Sequence, residues 1–525
     1  MINQNLNNVY NFKNSIRFFI NIDQMKYPDD ISEFNIGKLS WSKPFKFRIK
    51  KEHDKYRTLK IPNILNFVAS YNYYCYKIND FEDIKSISDP HKRLSANIQT
   101  GDFISGEYDK QLEGDFSNLC IYDNLIKLDI KEYYGRIYTH YVIPNNETTD
   151  SYLSNLNSGA TNGLLMGNYI SLYFAEKELS IISDSLETLI RENDINCNFS
   201  YFSDDFYFFC NKADNNTIIK IFDQVLEKHN LERNEHKKEF LSYESFNKIN
   251  LVARYWKKLI ATCNQKYDDK SESNKLIFIN LLIYNIDKLS NEKLKTSFLI
   301  NFFKTKYFRN LNLNKFILKS YDYHQLCFLM NFAPEIMLFS IDKFEAMTSF
   351  NKDKLKEFFR IRFFESLKKQ FNEEQLYYYY SIKIFKFEDI LISQKEKVLK
   401  SDNQLLISYY LKDNIFDEKD INELRFETSE EYWFQNYHLI LYCEDLLSDI
   451  NNSIIKYLVP EKCKPKTLDG TFKNNTQSYI DFYKSNLESK IPIINDIPIV
   501  KDKISSYLEL KHDEYDKNYD PSYYD

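Results

Sequence analysis

Glycine is almost missing from this chain. Its 525 residues include nine, eight of them within the first 167 positions and none between 168 and 469. Proline is as sparse there, with Pro334 and Pro460 alone between 168 and 464. A stretch so short of both has little material for left-handed turns, so helices joined by short polar connections are expected in it. The eight cysteines are widely scattered and form no C-x-x-C pair, which argues against a zinc site and a disulfide framework. No run approaches roughly 18 uncharged apolar residues. The opening MINQNLNNVYNFK has no basic region followed by an apolar core. Neither a membrane span nor a signal peptide is therefore expected, and the location should be cytoplasmic. A phosphate-binding G-x-x-x-x-G-K-[ST] loop and a dinucleotide fingerprint are also absent. The net charge of −6 excludes a globally basic surface, so any nucleic-acid chemistry must use a local patch.

At roughly 150 residues per domain, the length predicts two to four domains. Hydrophobic residues at 43% and charged residues at 28% suit packed cores, and 42 Tyr with 42 Phe make the chain unusually aromatic. Strand-like runs at 45–49, 125–130, 199–202 and 206–210 alternate with helical segments, so residues 1–255 read as a mixed α+β domain. Helical periodicity in KLIFINLLIYNIDKL, KLKEFFRIRFFESLKKQF and NSIIKYLV makes 256–510 an all-α domain. No fixed-period motif marks it as a repeat array, so repeat-like stacking stays open. The acidic, tyrosine-containing segment 511–525 reads as a disordered tail.

Asp129 lies inside an otherwise apolar strand, where an unpaired carboxylate is costly to desolvate and calls for a positive partner. Taken alone it is equally a surface-facing residue of a half-exposed strand. Asp204 and Asp205 stand between two short strands, where two like charges repel unless a cation sits between them, although Asp is also common in turns. Together, carboxylates from separate strands are what a two-metal phosphoryl-transfer site requires. Upstream, residues 43–60 hold eight Lys or Arg against Glu52 and Asp54, the local basic patch that the acidic chain otherwise lacks.

Four ordered segments resemble a reverse transcriptase: KLDIKEYYGRI (127–137), NGLLMGNYIS (162–171), FSDD (202–205) and LERNEHK (231–237). PFKFRIKKEHDKYRTLKIP (44–62) resembles the fingers hairpin that closes on a nucleotide. IYTH at 137–140, the long helical half and the tyrosine-rich composition make the chain similar to the abortive-infection (Abi) polymerases of the AbiK and AbiA type. The resemblance implies fingers and palm within 1–255, and Asp129, Asp204 and Asp205 as catalytic ligands of two Mg²⁺, with Mn²⁺ as an alternative. It places Lys51, Arg57, Lys60, Ile130, Tyr134, Ser171 and Lys237 around the nucleotide. Tyr134 would fill the space that a ribose 2′-hydroxyl needs. It further implies a homo-oligomeric phage-defence enzyme that takes dNTPs and extends single-stranded DNA from a tyrosine hydroxyl without a template, leaving the product covalently attached. A priming tyrosine must enter and leave the cleft, which points to mobile segments: Tyr10 first, then Tyr27, Tyr519 and Tyr523. Where templated enzymes carry GLPQG this chain reads Gly163-Leu-Leu-Met-Gly167, and the usual hairpin Tyr is Phe202, which favours untemplated synthesis. The alternatives are a templated RNA-directed polymerase and an idle scaffold that binds partners through its helical half.

Overall fold

In the computed structural model, the described residues are 6–28, 39–52, 55–84, 87, 89–104, 106–142, 149–250, 283, 286–287, 292–310, 323–347, 352–464 and 474–518. Among the described residues of the first half there are eight strands: β1 Phe45–Glu52, β2 Lys55–Ile61, β3 Ala96–Asn97, β4 Asp102–Phe103, β5 Asn124–Asp129, β6 Cys197–Phe202, β7 Asp205–Cys210 and β8 Glu239–Leu241. From Glu292 onward every regular element among the described residues is helical, as the missing glycines require. The expected strand runs are β1, β5, β6 and β7. Two of the periodic helical runs lie on the helices Lys352–Lys369 and Ile450–Tyr457. The third, at 275–289, and the domain edge expected at 255/256 lie outside the described residues, save isolated positions.

β6, β7, β5 and β8 form one antiparallel sheet in that spatial order. Register sets what each face does. Leu128 pairs with Phe206 and Ile126 with Phe208, and this face packs on helices. The helix Asn215–Lys228 buries Ile218, Ile221, Phe222, Val225 and Leu226, an i, i+3, i+4, i+7, i+8 stripe. Its Phe222 ring lies 5.1 Å from Phe206 and 5.7 Å from Phe208. The opposite face carries the pairs Leu125–Phe209, Lys127–Tyr207 and Asp129–Asp205. Its apolar end is covered by Leu112, Phe116 and Leu119 of the helix Glu107–Ile121, and its charged end holds the two aspartates.

β1 and β2 form the expected antiparallel hairpin. The edge of β1 is covered by the helix Asn372–Phe385, where Asn372 Oδ1 accepts from the Arg48 amide at 2.6 Å and Glu373 Oε1 from the Lys50 amide at 2.8 Å. Such cover keeps an edge strand from pairing elsewhere. Phe45 lies 5.6 Å from Trp433 and 5.2 Å from Phe434. Phe19 meets Tyr380 and Tyr409 edge-on, and its carbonyl accepts from the Asn495 amide at 2.8 Å. One apolar core thus runs from the N-terminal segment through the helices packed on the four-stranded sheet into the helical half.

The reading of 511–525 as disordered is corrected for its first part, because the helix Ile497–Asn518 continues through it. Its charges are anchored: Lys511 Nζ donates to the Phe103 carbonyl at 2.5 Å, and Asn97 Nδ2 donates to Glu514 at 2.9 Å. Among the described residues no helix is long and apolar enough to cross a membrane.

Candidate active site

The site forms where three segments distant in sequence meet. β5 is buried at nearly every position, as a central strand should be, and Asp129 at its end is only 2% exposed. The half-exposed alternative for Asp129 is therefore excluded. Asp205 stands directly opposite on β7. Phe202 and Asp205 close the β6–β7 hairpin, leaving Ser203 and Asp204 as its two-residue turn. Ser203 adopts φ +53°, the sense a two-residue turn needs to match strand twist, and one that a residue with a Cβ adopts at a cost. The Asp204 carbonyl accepts from the Ile130 amide at 3.0 Å, which fixes the turn beside the end of β5.

The positive partner that Asp129 requires is Lys237, whose Nζ reaches Asp129 Oδ2 at 2.5 Å. Asn234 holds the other side, donating from Nδ2 to Asp129 Oδ1 at 2.9 Å and from its amide to the Asp129 carbonyl at 2.7 Å. Burial, then Asp204 and Asp129, push the Asp205 carboxyl up to about 6, against the opposing charges of Lys237 and Lys127. Among the described residues no group of three His, Cys, Asp or Glu is arranged as a metal site. Asp129 instead engages both its oxygens with Asn234 and Lys237. The three carboxylates are nevertheless near enough to act on one another, since Asp204 and Asp129 both raise Asp205, and hard carboxylate oxygens are the donors that a divalent cation takes.

Tyr134 belongs to the same cluster. Burial, Glu176 and Asp204 hold its phenol far above its ordinary value, with the Ser203 side chain acting the other way. Its carbonyl accepts from the Leu164 amide at 2.7 Å, which joins the glycine-rich segment to the site. Gly163, at φ +90°, passes so close that a Cβ there would meet the Gly135 carbonyl oxygen at 3.2 Å. Behind Tyr134 lies a buried pair, Lys92 and Glu176 at 3.7 Å, with the glutamate pushed up to about 7 by burial. Sequence reading did not single out Lys92, Glu176 or Asn234. Only Asn234 left a signal, as a member of the LERNEHK segment.

Arg57 and Lys60 of the hairpin are exposed. Arg57 Nη1 approaches Met166 Sδ at 3.4 Å and Lys60 Nζ approaches Asn157 Oδ1 at 3.4 Å, so both face the glycine-rich side. Lys51 is exposed near the hairpin tip. Ile130 is fully buried and contributes its backbone. Ser171 is buried in the first turn of the helix Tyr169–Glu192, where its amide bonds the Asn168 cap, so an accessible nucleotide-binding hydroxyl is not what the fold provides.

Two priming expectations are corrected. Tyr10, ranked first as part of a loose segment, is 1% exposed, donates to the Pro62 carbonyl at 2.5 Å and packs edge-on against Phe67. Tyr27 donates to the Ile22 carbonyl at 2.9 Å and stacks on Phe482. Aromatic side chains this near a core bury too much apolar area to remain loose. Tyr519 and Tyr523 lie outside the described residues.

No family model matches the chain, and no curated protein matches it. A solved structure of telomerase from Candida albicans, in complex with a fragment of telomeric RNA, is similar over 72% of this chain and 64% of that chain, at 11% identity and a TM-score of 0.29. A likeness that distant carries no assignment.

Proposed function

We propose that this chain is a reverse-transcriptase-like nucleotidyltransferase that joins dNTPs into DNA at Asp129, Asp204 and Asp205. The observation that carries the reading is the pairing of Asp129 with Asp205 across β5 and β7, with Asp204 on the adjoining turn and Asn234 and Lys237 closed onto Asp129. Such crowding of carboxylates costs electrostatic energy and has a use where a cation and a triphosphate must be held. The three aspartates would hold Mg²⁺ or Mn²⁺, which when bound supplies a lowered pKa at the attacking hydroxyl and charge neutralisation at the leaving diphosphate. Asn234 orients Asp129, and Tyr134 walls the sugar side next to Asp204. Arg57 and Lys60 supply charge for the phosphates from the hairpin.

The resemblance to the Abi polymerases favours protein-primed, untemplated synthesis in phage defence, with a homo-oligomer and a covalently attached single-stranded product. The loop Gly163–Gly167, which lacks the Pro and Gln of templated enzymes, supports the untemplated form. With Tyr10 and Tyr27 packed, the tail tyrosines Tyr519 and Tyr523 become the leading primers. Incorporation of labelled dNTPs by purified protein, with and without added nucleic acid, tests this. Activity without nucleic acid supports the proposal, activity only with a template and primer favours the RNA-directed polymerase, and none under either condition favours the scaffold.

A further inference from the structure

The two contacts on Asp129 differ in kind. Asn234 is built in: its amide and side chain both bond Asp129, and its Oδ1 also accepts from the His236 amide at 3.3 Å, which starts the short turn Glu235–Lys237. Lys237 ends that turn on a flexible four-carbon stem, with its side chain about half exposed (52%) against 3% for the Asp129 carboxylate it meets. Asn234 occupies Oδ1 and Lys237 occupies Oδ2. Lys237 could therefore swing into solvent and expose Oδ2 without disturbing either bond from Asn234. Among the described residues, neither Asp204 nor Asp205 has a cation within 4.0 Å, so Lys237 is the one direct counter-charge for three carboxylates.

Resting on the metal reading of this site, we propose that Lys237 is a competing internal cation: it neutralises Asp129 when no divalent ion is bound, and it must leave Oδ2 before the three carboxylates can share one. The ammonium group and a divalent ion compete for the same oxygen, so each weakens the binding of the other. The lysine thereby keeps a buried carboxylate from standing unpaired and sets the divalent concentration at which the site loads.

The test is Mn²⁺ binding to the full chain without nucleotide, followed by calorimetry and by the rise in melting temperature that added Mn²⁺ produces. Lys237→Met should bind Mn²⁺ about tenfold more tightly than the unmodified chain and gain more melting temperature on saturation, since its ion-free form lacks the counter-charge. Lys237→Gln, which can still donate to Asp129 without charge, guards against a variant that fails to fold and should also bind more tightly. Lys237→Arg should not gain affinity. Equal or weaker binding by both neutral variants, with Asp204→Asn still abolishing it, would overturn the competition and leave the metal site standing. Absence of Mn²⁺ binding in the unmodified chain and in both neutral variants would overturn the metal reading, and the competition with it.

Discussion

Asp129 shows how one residue can report a site. A carboxylate in an apolar strand demands a positive partner, and the sequence made that demand legible, but it placed Lys237 beside the nucleotide and not on Asp129, where the lysine meets the demand. What it did not reveal is the geometry by which Asn234 takes one oxygen and Lys237 the other. Removing the amide in Asn234→Ala takes a donor from a buried carboxylate and the cap from the turn that carries Lys237. Urea unfolding should show a loss of about 1–3 kcal/mol, with incorporation reduced. Asp205 yields a prediction of opposite character. Its carboxyl is raised from 3.8 to about 6, so the folded state holds that proton more tightly than the unfolded chain. The associated stability is complete below about 3.8 and is lost as pH rises through about 6. Without divalent ions, the melting temperature of the unmodified chain should therefore fall between pH 4 and pH 7 relative to that of Asp205→Asn, a variant without this titration. Ser203 holds φ +53° at the hairpin turn. Glycine there should stabilise the chain by about 0.5–1 kcal/mol in thermal unfolding, by relieving the left-handed penalty of a residue with a Cβ.

Among the elements, β1, β5, β6 and β7 were legible as short apolar or aromatic runs with turn residues near their ends, whereas β3, β4 and β8, only two or three residues long, were not. The sheet order was not, since nothing in LIKLDI marks it as the strand between β7 and β8. The cover on β1 was equally hidden, because the side chains that receive its amides come from residues 372 and 373, more than 300 positions away. That cover ties the basic hairpin to the helical half: Lys50 Nζ pairs with Glu374 at 3.5 Å, and Arg48 is bonded to Gln370 and Asp402. Asn372→Ala should cost about 1–3 kcal/mol through the unsatisfied Arg48 amide. Hydrogen exchange should accelerate at Arg48, whereas unchanged protection there would show that the hairpin does not depend on the helix.

For the whole molecule, composition pointed to a mixed half followed by a helical half, and the elements fall that way. It did not disclose that the N-terminal segment packs into the helical half. The contacts of Phe19, Phe45 and Tyr27 with Tyr409, Trp433 and Phe482 join residues that no periodicity links. The same packing removes Tyr10 from the mobile chain that its asparagine-rich surroundings suggested, because local composition cannot register a distant aromatic neighbour. A chain cut after residue 250 should accordingly expose this aromatic surface and fail to show a cooperative melting transition. The most direct test of the central claim is Mg²⁺-dependent incorporation of labelled dNTP by purified protein, compared with Asp204→Asn shown by circular dichroism to be folded. Incorporation by the unmodified chain that falls at least a hundredfold in the variant is the predicted result, and incorporation that persists unchanged in the variant would contradict it.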